Sequence, residues 1–165
     1  MISSTQQILD YVRGHKLTLR LDPCPLGEFL DDALDVFRVD FSDQGIEISR
    51  DYHFDGSILI DADRIAQVVY NLISNARDAM PSGGRFTLST DKVDNWVEIR
   101  FSDTGFGVPS ELAERIFEPY FSFGKDQGAG LGLAISRQIA LEHGGSIRVE
   151  SEEGKGATFV VALPA

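Results

Sequence analysis

In a chain of 165 residues, Asn71, Asn75 and Asp78 recur at i, i+4 and i+7. They lie in a segment where Ile65, Val68, Val69, Leu72, Ile73, Ala76 and Ala79 keep a three-and-four rhythm, the mark of an amphipathic helix. That spacing stacks the three polar side chains on one face. Side-chain amide oxygens are neutral ligands of the kind Mg²⁺ takes beside phosphate oxygens and water, so Asn71 and Asn75 are candidate metal ligands. Taken alone, the stripe reads more simply as the polar edge of a surface helix. Asp103-Thr-Gly-Phe-Gly107-Val-Pro follows a strand. A carboxylate at a strand's end can accept a hydrogen bond from an exocyclic amine such as that of adenine. Gly105 and Gly107 let backbone approach a flat ring or a phosphate closely, although a carboxylate-capped tight turn has the same pattern. Gly128-Ala-Gly130-Leu131-Gly132-Leu133 opens a helix, where free N–H groups and the helix dipole bind phosphate. Lys125 just upstream supplies a mobile cation. This is neither a P-loop nor a dinucleotide fingerprint, and a glycine-rich hinge is the plain alternative. Gly154-Lys-Gly156-Ala-Thr158-Phe sits in a hairpin turn, with Thr158 a candidate to hydrogen-bond near a base and an ordinary turn the competing reading.

The elements that must position these residues follow from periodicity and breakers. Residues 4–14 read as the end of a helix stopped by Gly14, and residues 16–22 alternate as a strand punctuated by Pro23 and Pro25. Helical spacing covers 26–38. Short strands at 45–52 and 57–61 flank the turn signal Asp55-Gly56. The amide-bearing helix runs 63–80, followed by strands at 85–90 and 96–101. Ser110 can cap a short helix to Phe117. Residues 118–130 read as a glycine-rich loop and 131–143 as a helix ended by Gly144-Gly145. A final hairpin turns at 152–156. Strands come in adjacent pairs rather than alternating with helices, which predicts an α+β fold with a mixed sheet covered by helices on one face.

The formal net charge of −11 and sequence pI of about 4.6 repel phosphate backbones and anionic lipid. Nucleic acid and direct membrane contact are therefore not expected. A phosphate ligand would have to be held by backbone N–H groups, a metal ion and a few local cations. Cys24 is the one cysteine, so no intrachain disulfide forms and a reducing compartment is expected. With no signal peptide and no apolar run of membrane-spanning length, the expected location is cytoplasmic, in a parent free to carry an anchor elsewhere.

Taken in order, the motifs resemble the catalytic domain of sensor histidine kinases, in the superfamily shared with DNA gyrase, mismatch-repair ATPases and an ATPase chaperone. QVVYNLISNARDAM resembles the family's N box, DTGFGVP its first glycine box and FEPYFSF its phenylalanine box. GAGLGLAIS and GKGATF resemble the second and third glycine boxes. The likeness runs from about Leu26 to Pro164, and NARDAMPSGG with FEPYF resembles the branch related to nitrogen-regulation sensors.

The resemblance implies a two-layer α+β sandwich of the Bergerat type. It implies ATP and Mg²⁺ as cofactors. Asn75, helped by Asn71, would hold Mg²⁺, with Asp78 beside them. Asp103 would receive the adenine amine in a pocket shaped by Gly105 and Gly107, with Thr158 on the adenine side. Gly128, Gly130, Leu131, Gly132 and Leu133 would carry the phosphate-binding backbone, under a mobile lid of residues 118–129. Asn71 and Lys125 would assist transfer of the γ-phosphoryl group. That group would pass to a histidine outside this chain and then to a response-regulator aspartate, which makes the parent's phosphoacceptor hairpin and a receiver domain the expected partners. The sequence departs from the pattern in two places. Ser122-Phe123-Gly124-Lys125 makes the lid one residue longer. His15, His53 and His143 lack the acceptor motif and read as surface or capping residues. Residues 1–14 resemble the end of the hairpin's second helix, leaving 15–165 as the ATP-binding domain. The alternatives are an ATP-hydrolysing clamp and a degenerate nucleotide-sensing or protein-binding module. Hydrolytic relatives resemble E-x-x-x-N, but Asn71 stands at the glutamate's position, and an amide cannot take a proton from water.

Overall fold

A computed structural model describes residues 18–124 and 130–165. The expected helix at 4–14, the hairpin remnant at 1–14, the start of the expected strand at 16–22, His15, Lys125 and Gly128 lie outside the described residues.

The elements are β1 (Asp22–Pro25), α1 (Leu26–Asp35), α2 (Arg38–Asp43), β2 (Ile46–Tyr52), β3 (Ser57–Ile60), α3 (Ala62–Ala79), β4 (Gly84–Val93), β5 (Trp96–Asp103), α4 (Gly132–Glu142), β6 (Ser146–Ser151) and β7 (Ala157–Pro164). The first strand lies later than its alternation predicts and includes both prolines. Among the described residues it pairs with β3 in a two-stranded ribbon, and proline is tolerated where the missing N–H would face away from a ladder. The helix from residue 26 ends at Asp35, and α2 continues after a break that the apolar spacing did not signal. Ser110–Leu112 and Arg115–Phe117 are two 3₁₀ turns rather than one helix.

The main sheet has the order β2-β4-β5-β7-β6, with β2–β4 parallel and the other pairs antiparallel. Its two faces differ in kind. Along β5, Val97, Ile99, Phe101 and Asp103 are buried while Glu98, Arg100 and Ser102 alternate outward, the two-residue period of a strand with one covered face. On the outer face Arg100 bridges Glu98 and Glu150, each at 3.0 Å, and Arg148 reaches Glu98 at 3.0 Å. Val160, paired in register with both Arg100 and Arg148, is fully buried beneath their aliphatic stems. The inner face carries the helices: α3 packs on α1, α4 and β5, and α4 packs on β6 and β7. The expected mixed sheet with one helical layer is what forms.

The helix α3 is fixed at both ends. Asp61 caps its start by accepting from Arg64 N–H at 3.3 Å. At its other end Gln44 Nε2 donates to the carbonyls of Arg77 and Met80, both at 2.8 Å, as a second donor beside the Met80 and Gly83 N–H groups that those carbonyls already accept. His143 is buried rather than on the surface, and it stands at the C-cap of α4, the capping alternative of its reading. Its Nε2 accepts from Asp61 N–H at 3.1 Å and its Nδ1 donates to the Ile139 carbonyl at 2.8 Å, so a neutral imidazole ties the start of α3 to the end of α4. His53 is exposed beside Asp91 and Asp51, as a surface reading requires.

Replacing Gln44 by Ala removes the side-chain donor from two helix-end carbonyls that keep a backbone donor each, and the expected loss of stability is about 0.5–1.5 kcal/mol per bond. Urea denaturation measures it; an unchanged midpoint would show that water satisfies those carbonyls equally well.

Candidate functional site

A cavity of about 1020 Å³ opens between α3, the end of β5, the start of α4 and the β6–β7 hairpin. Its walls meet because backbones touch where no Cβ stands. Gly105 lies on the Ala79 carbonyl at the end of α3, where any Cβ would collide, and Phe106 N–H donates to that carbonyl at 3.2 Å. Gly107, at φ 71°, presses on the Glu152 carbonyl, and Gly156, at φ 93°, on that of Asp103. The two loops are then stitched: Gly154 N–H donates to Phe106 O at 2.7 Å, Val108 N–H to Ser151 Oγ at 2.7 Å, and Ser151 Oγ to Gly156 O at 2.8 Å. The glycines of the hairpin turn therefore seat the Asp103 loop, which the plain-turn reading did not anticipate.

Asp103 ends β5 and lines the cavity at 8% exposure. Burial pushes its carboxyl above the usual value, against bonds from Gly105 N–H at 2.9 Å and Ala157 N–H that favour the anion. Across the cavity, Asn71 Nδ2 donates to Ser136 Oγ of α4 at 3.0 Å. Its Oδ1 lies where a Cβ on Gly132 would sit, so Gly132 lets α4 begin directly against α3. Asn75, Leu131 and Leu133 also line the cavity. Gly130, at φ 66°, packs on Tyr120, and Tyr120 N–H donates to Gly130 O at 2.9 Å, pinning together the two ends of the lid segment. Phe106 meets Phe123 edge-on at 6.0 Å, above the Asp103 loop.

Two expected positions are corrected. Thr158 does not reach the cavity. The strand's period turns Ala157 and Phe159 inward, and Thr158 pairs on the outer face with Ser102 at 2.9 Å. Asp78 keeps the helix face of Asn71 but is absent from the cavity wall, its carboxylate pairing with Arg77 at 3.1 Å at the last turn of α3. Gly105 shapes the loop from behind the lining. The wall also includes residues that the motifs missed: Asp63, Gln67, Tyr70 and Ser74 along the crest of α3, and Phe37 at the α1–α2 corner. Asp63 and Gln67 continue the four-residue spacing of Asn71 and Asn75 backward, a signal present in the sequence; Phe37 carries none. Among the described lining residues there is no Lys or Arg, and the carboxylates are Asp63 and Asp103. Among the described residues no cluster of His, Cys, Asp and Glu is arranged to hold a metal.

Residues 60–165 match the family described as "Histidine kinase-, DNA gyrase B-, and HSP90-like ATPase". Sporulation kinase C of Bacillus subtilis (strain 168) is 43% identical over 104 residues, 63% of this chain and 24% of that kinase; the chain spans about a quarter of the length of such relatives. Full-length ShkA in complex with AMPPNP superposes with a TM-score of 0.87 at 29% identity, covering 96% of this chain and 34% of ShkA. The catalytic domain of histidine kinase ThkA gives 0.81 at 31% identity, covering 88% of this chain and 95% of that domain. ThkA in complex with the response regulator TrrA gives 0.83 at 28% identity, covering 97% of this chain and 46% of that one. The chain belongs to this ATPase family. Within it, the chain is a catalytic, ATP-binding domain of the sensor histidine kinase type. No helix among the described residues is long and apolar enough to cross a membrane.

Asp103 binds its proton more tightly folded than unfolded, so it costs stability as pH rises from the ordinary 3.8 through the folded value. Asp103→Asn keeps the acceptor for Gly105 N–H and removes that cost. Its stability relative to the unsubstituted chain should rise as pH increases above the ordinary carboxyl value in urea titrations. A difference that stays constant with pH would contradict the burial assigned to this carboxyl.

Proposed function

We propose that this chain holds ATP with Mg²⁺ and directs the γ-phosphoryl group to a histidine outside the chain. The acceptor belongs to the helical hairpin of the parent kinase, which passes the group to an aspartate in a response regulator's receiver domain. The observation that carries this reading is the pair Asn71 and Asn75, facing the start of α4 across the cavity. Two amide oxygens suit Mg²⁺, and the metal supplies the positive charge that the described lining lacks. Asp103 accepts the adenine amine. Gly130, Leu131, Gly132 and Leu133, with the N–H groups opening α4, receive phosphate oxygens, and Gly128 and Lys125 extend that set. Asn71 is both ligand and spacer, held by Ser136. Thr158 and Asp78 have no part in this assignment, and Ala157 takes the place beside the base. Residues 15–165 form the ATP-binding domain and 1–14 the remnant of the hairpin helix, in a cytoplasmic setting without nucleic acid or direct membrane contact.

Transfer to an imidazole, already a nucleophile, asks of the protein mainly position and charge neutralisation. Hydrolysis asks in addition for a base on water. Asn71 cannot serve as that base, which favours the kinase over the ATP-hydrolysing clamp. A protein-binding module alone would have no use for a buried Asp103.

The isolated chain with labelled ATP should gain no label and release phosphate only at background rate, while addition of the parent's hairpin should place acid-labile, base-stable label on the hairpin. Brisk phosphate release without the hairpin would favour the clamp instead. GTP should compete with ATP about 10- to 100-fold less well, because a guanine carbonyl facing Asp103 leaves an unpaired acceptor worth roughly 1–3 kcal/mol. Equal competition would remove Asp103 from base recognition.

A further inference from the structure

The outer face of the main sheet carries a recess of its own, about 210 Å³, at the end of β5 away from Asp103. It is lined by Val93, Asp94, Trp96, Glu98, Ser146 and Ala162. The strand period builds it. Trp96 and Glu98 share the outward parity of Arg100 and Ser102. The register sets Glu98 opposite Ala162, and Ala162 opposite Ser146. Two small side chains in one cross-strand row leave the hollow, and Ala162, at 7% exposure, is its floor. Val93 pairs with Trp96 across the tip of the β4–β5 hairpin. The tip is the turn Asp94-Asn95, in which Asp94 holds φ 54°. Trp96 is the one tryptophan of the chain. It is 42% exposed and Val93 is 49% exposed, an apolar edge beside two carboxylates.

We propose that the Trp96 recess is a docking site for an arginine side chain of a partner protein. Charge selects a cation, because the lining holds Asp94 and Glu98 and no Lys or Arg. The two carboxylates differ in what they still offer. Glu98 already accepts from Arg100 on one oxygen and Arg148 on the other, each at 3.0 Å. Asp94 makes no ion pair among the described residues. The arriving cation therefore bonds to Asp94, and Glu98 adds its field. Shape selects arginine over lysine. A guanidinium is planar, stacks flat on an indole and presents forked donors to a carboxylate, whereas an ammonium is a strongly hydrated point charge. The aliphatic stem lies over Ala162 and Val93. The recess is on the face opposite the helical layer, seven residues along β5 from Asp103, roughly 23 Å of strand. A partner seated there leaves the nucleotide cavity open, whatever reaction that cavity serves.

The test titrates the full chain with acetyl-Gly-Arg-Gly-amide in nitrogen–proton correlation spectra, where Trp96 gives the one indole N–H signal. That signal should shift saturably. The peptide with citrulline, isosteric and uncharged, should bind about tenfold more weakly, and the lysine peptide should fall between the two. Asp94→Asn suits the same positive φ; it should weaken arginine binding about threefold and flatten its salt dependence. Trp96→Ala, read from the Ser146 and Ala162 amide signals, should lose the shifts, and Trp96→Phe should keep part of them. ADP affinity of each variant should stay within about twofold, as for sites that share no partner. An indole signal that does not move overturns the assignment. So does equal binding of the arginine and citrulline peptides, or binding that survives both Asp94→Asn and Trp96→Ala unchanged. A lysine peptide that binds as tightly as the arginine peptide overturns the stacked guanidinium.

Discussion

An acidic chain that takes up a polyanion has to put its attraction somewhere other than in net charge. The formal charge is −11, and the described cavity wall contributes two carboxylates and no Lys or Arg. What remains is the backbone N–H at a helix start, proximity and, in the proposed reading, a metal carried by amides. All three demand that main chain approach main chain, and the glycines grant it. Gly132 admits α4 against Asn71, Gly105 lays its loop on the end of α3, and Gly156 lays the hairpin on Asp103. A methyl group at any of these positions would separate walls that must touch.

The rest of the fold supports that contact. The helix α3 carries the amides and the end of β5 carries Asp103, so both must be held in register. Gln44 and Asp61 close the helix ends, His143 ties α3 to α4, and the antiparallel pairing of β5 with β7 sets Asp103 opposite Ala157. Burying Asp103 works against stability; in the proposed reading it serves base selectivity, because a carboxyl held away from water keeps few competing partners. Strain and desolvation of this kind collect at functional sites and are met by the core around them.

The mixed sheet with its one helical layer and the amide helix were legible because long periodic segments and strand alternation signal themselves locally. The motif order marked the family for the same reason. Thr158 was misplaced because a motif gives no facing, and only its register opposite Ser102 turns it outward. Asp78 shares the face by spacing, but its position in the last turn of α3 and its pair with Arg77 keep it off the wall, which spacing alone does not signal. The α1–α2 corner with Phe37, the burial of His143 and the stitching of the hairpin to the Asp103 loop are long-range contacts, which composition and spacing cannot carry. The prolines of β1 marked a break in sequence and an edge ribbon in space.

The proposed account turns on metal-borne charge supplying what no Lys or Arg of the described cavity wall supplies. Its most direct measurement is calorimetric titration of the chain with ATP in EDTA and again in excess Mg²⁺, at fixed ionic strength. ATP affinity should rise at least about tenfold with Mg²⁺, about 1.4 kcal/mol, with a smaller gain for AMP, which has no β- or γ-phosphate to bridge. ATP binding of equal strength with and without Mg²⁺ would contradict the account and place the attraction in protein cations instead.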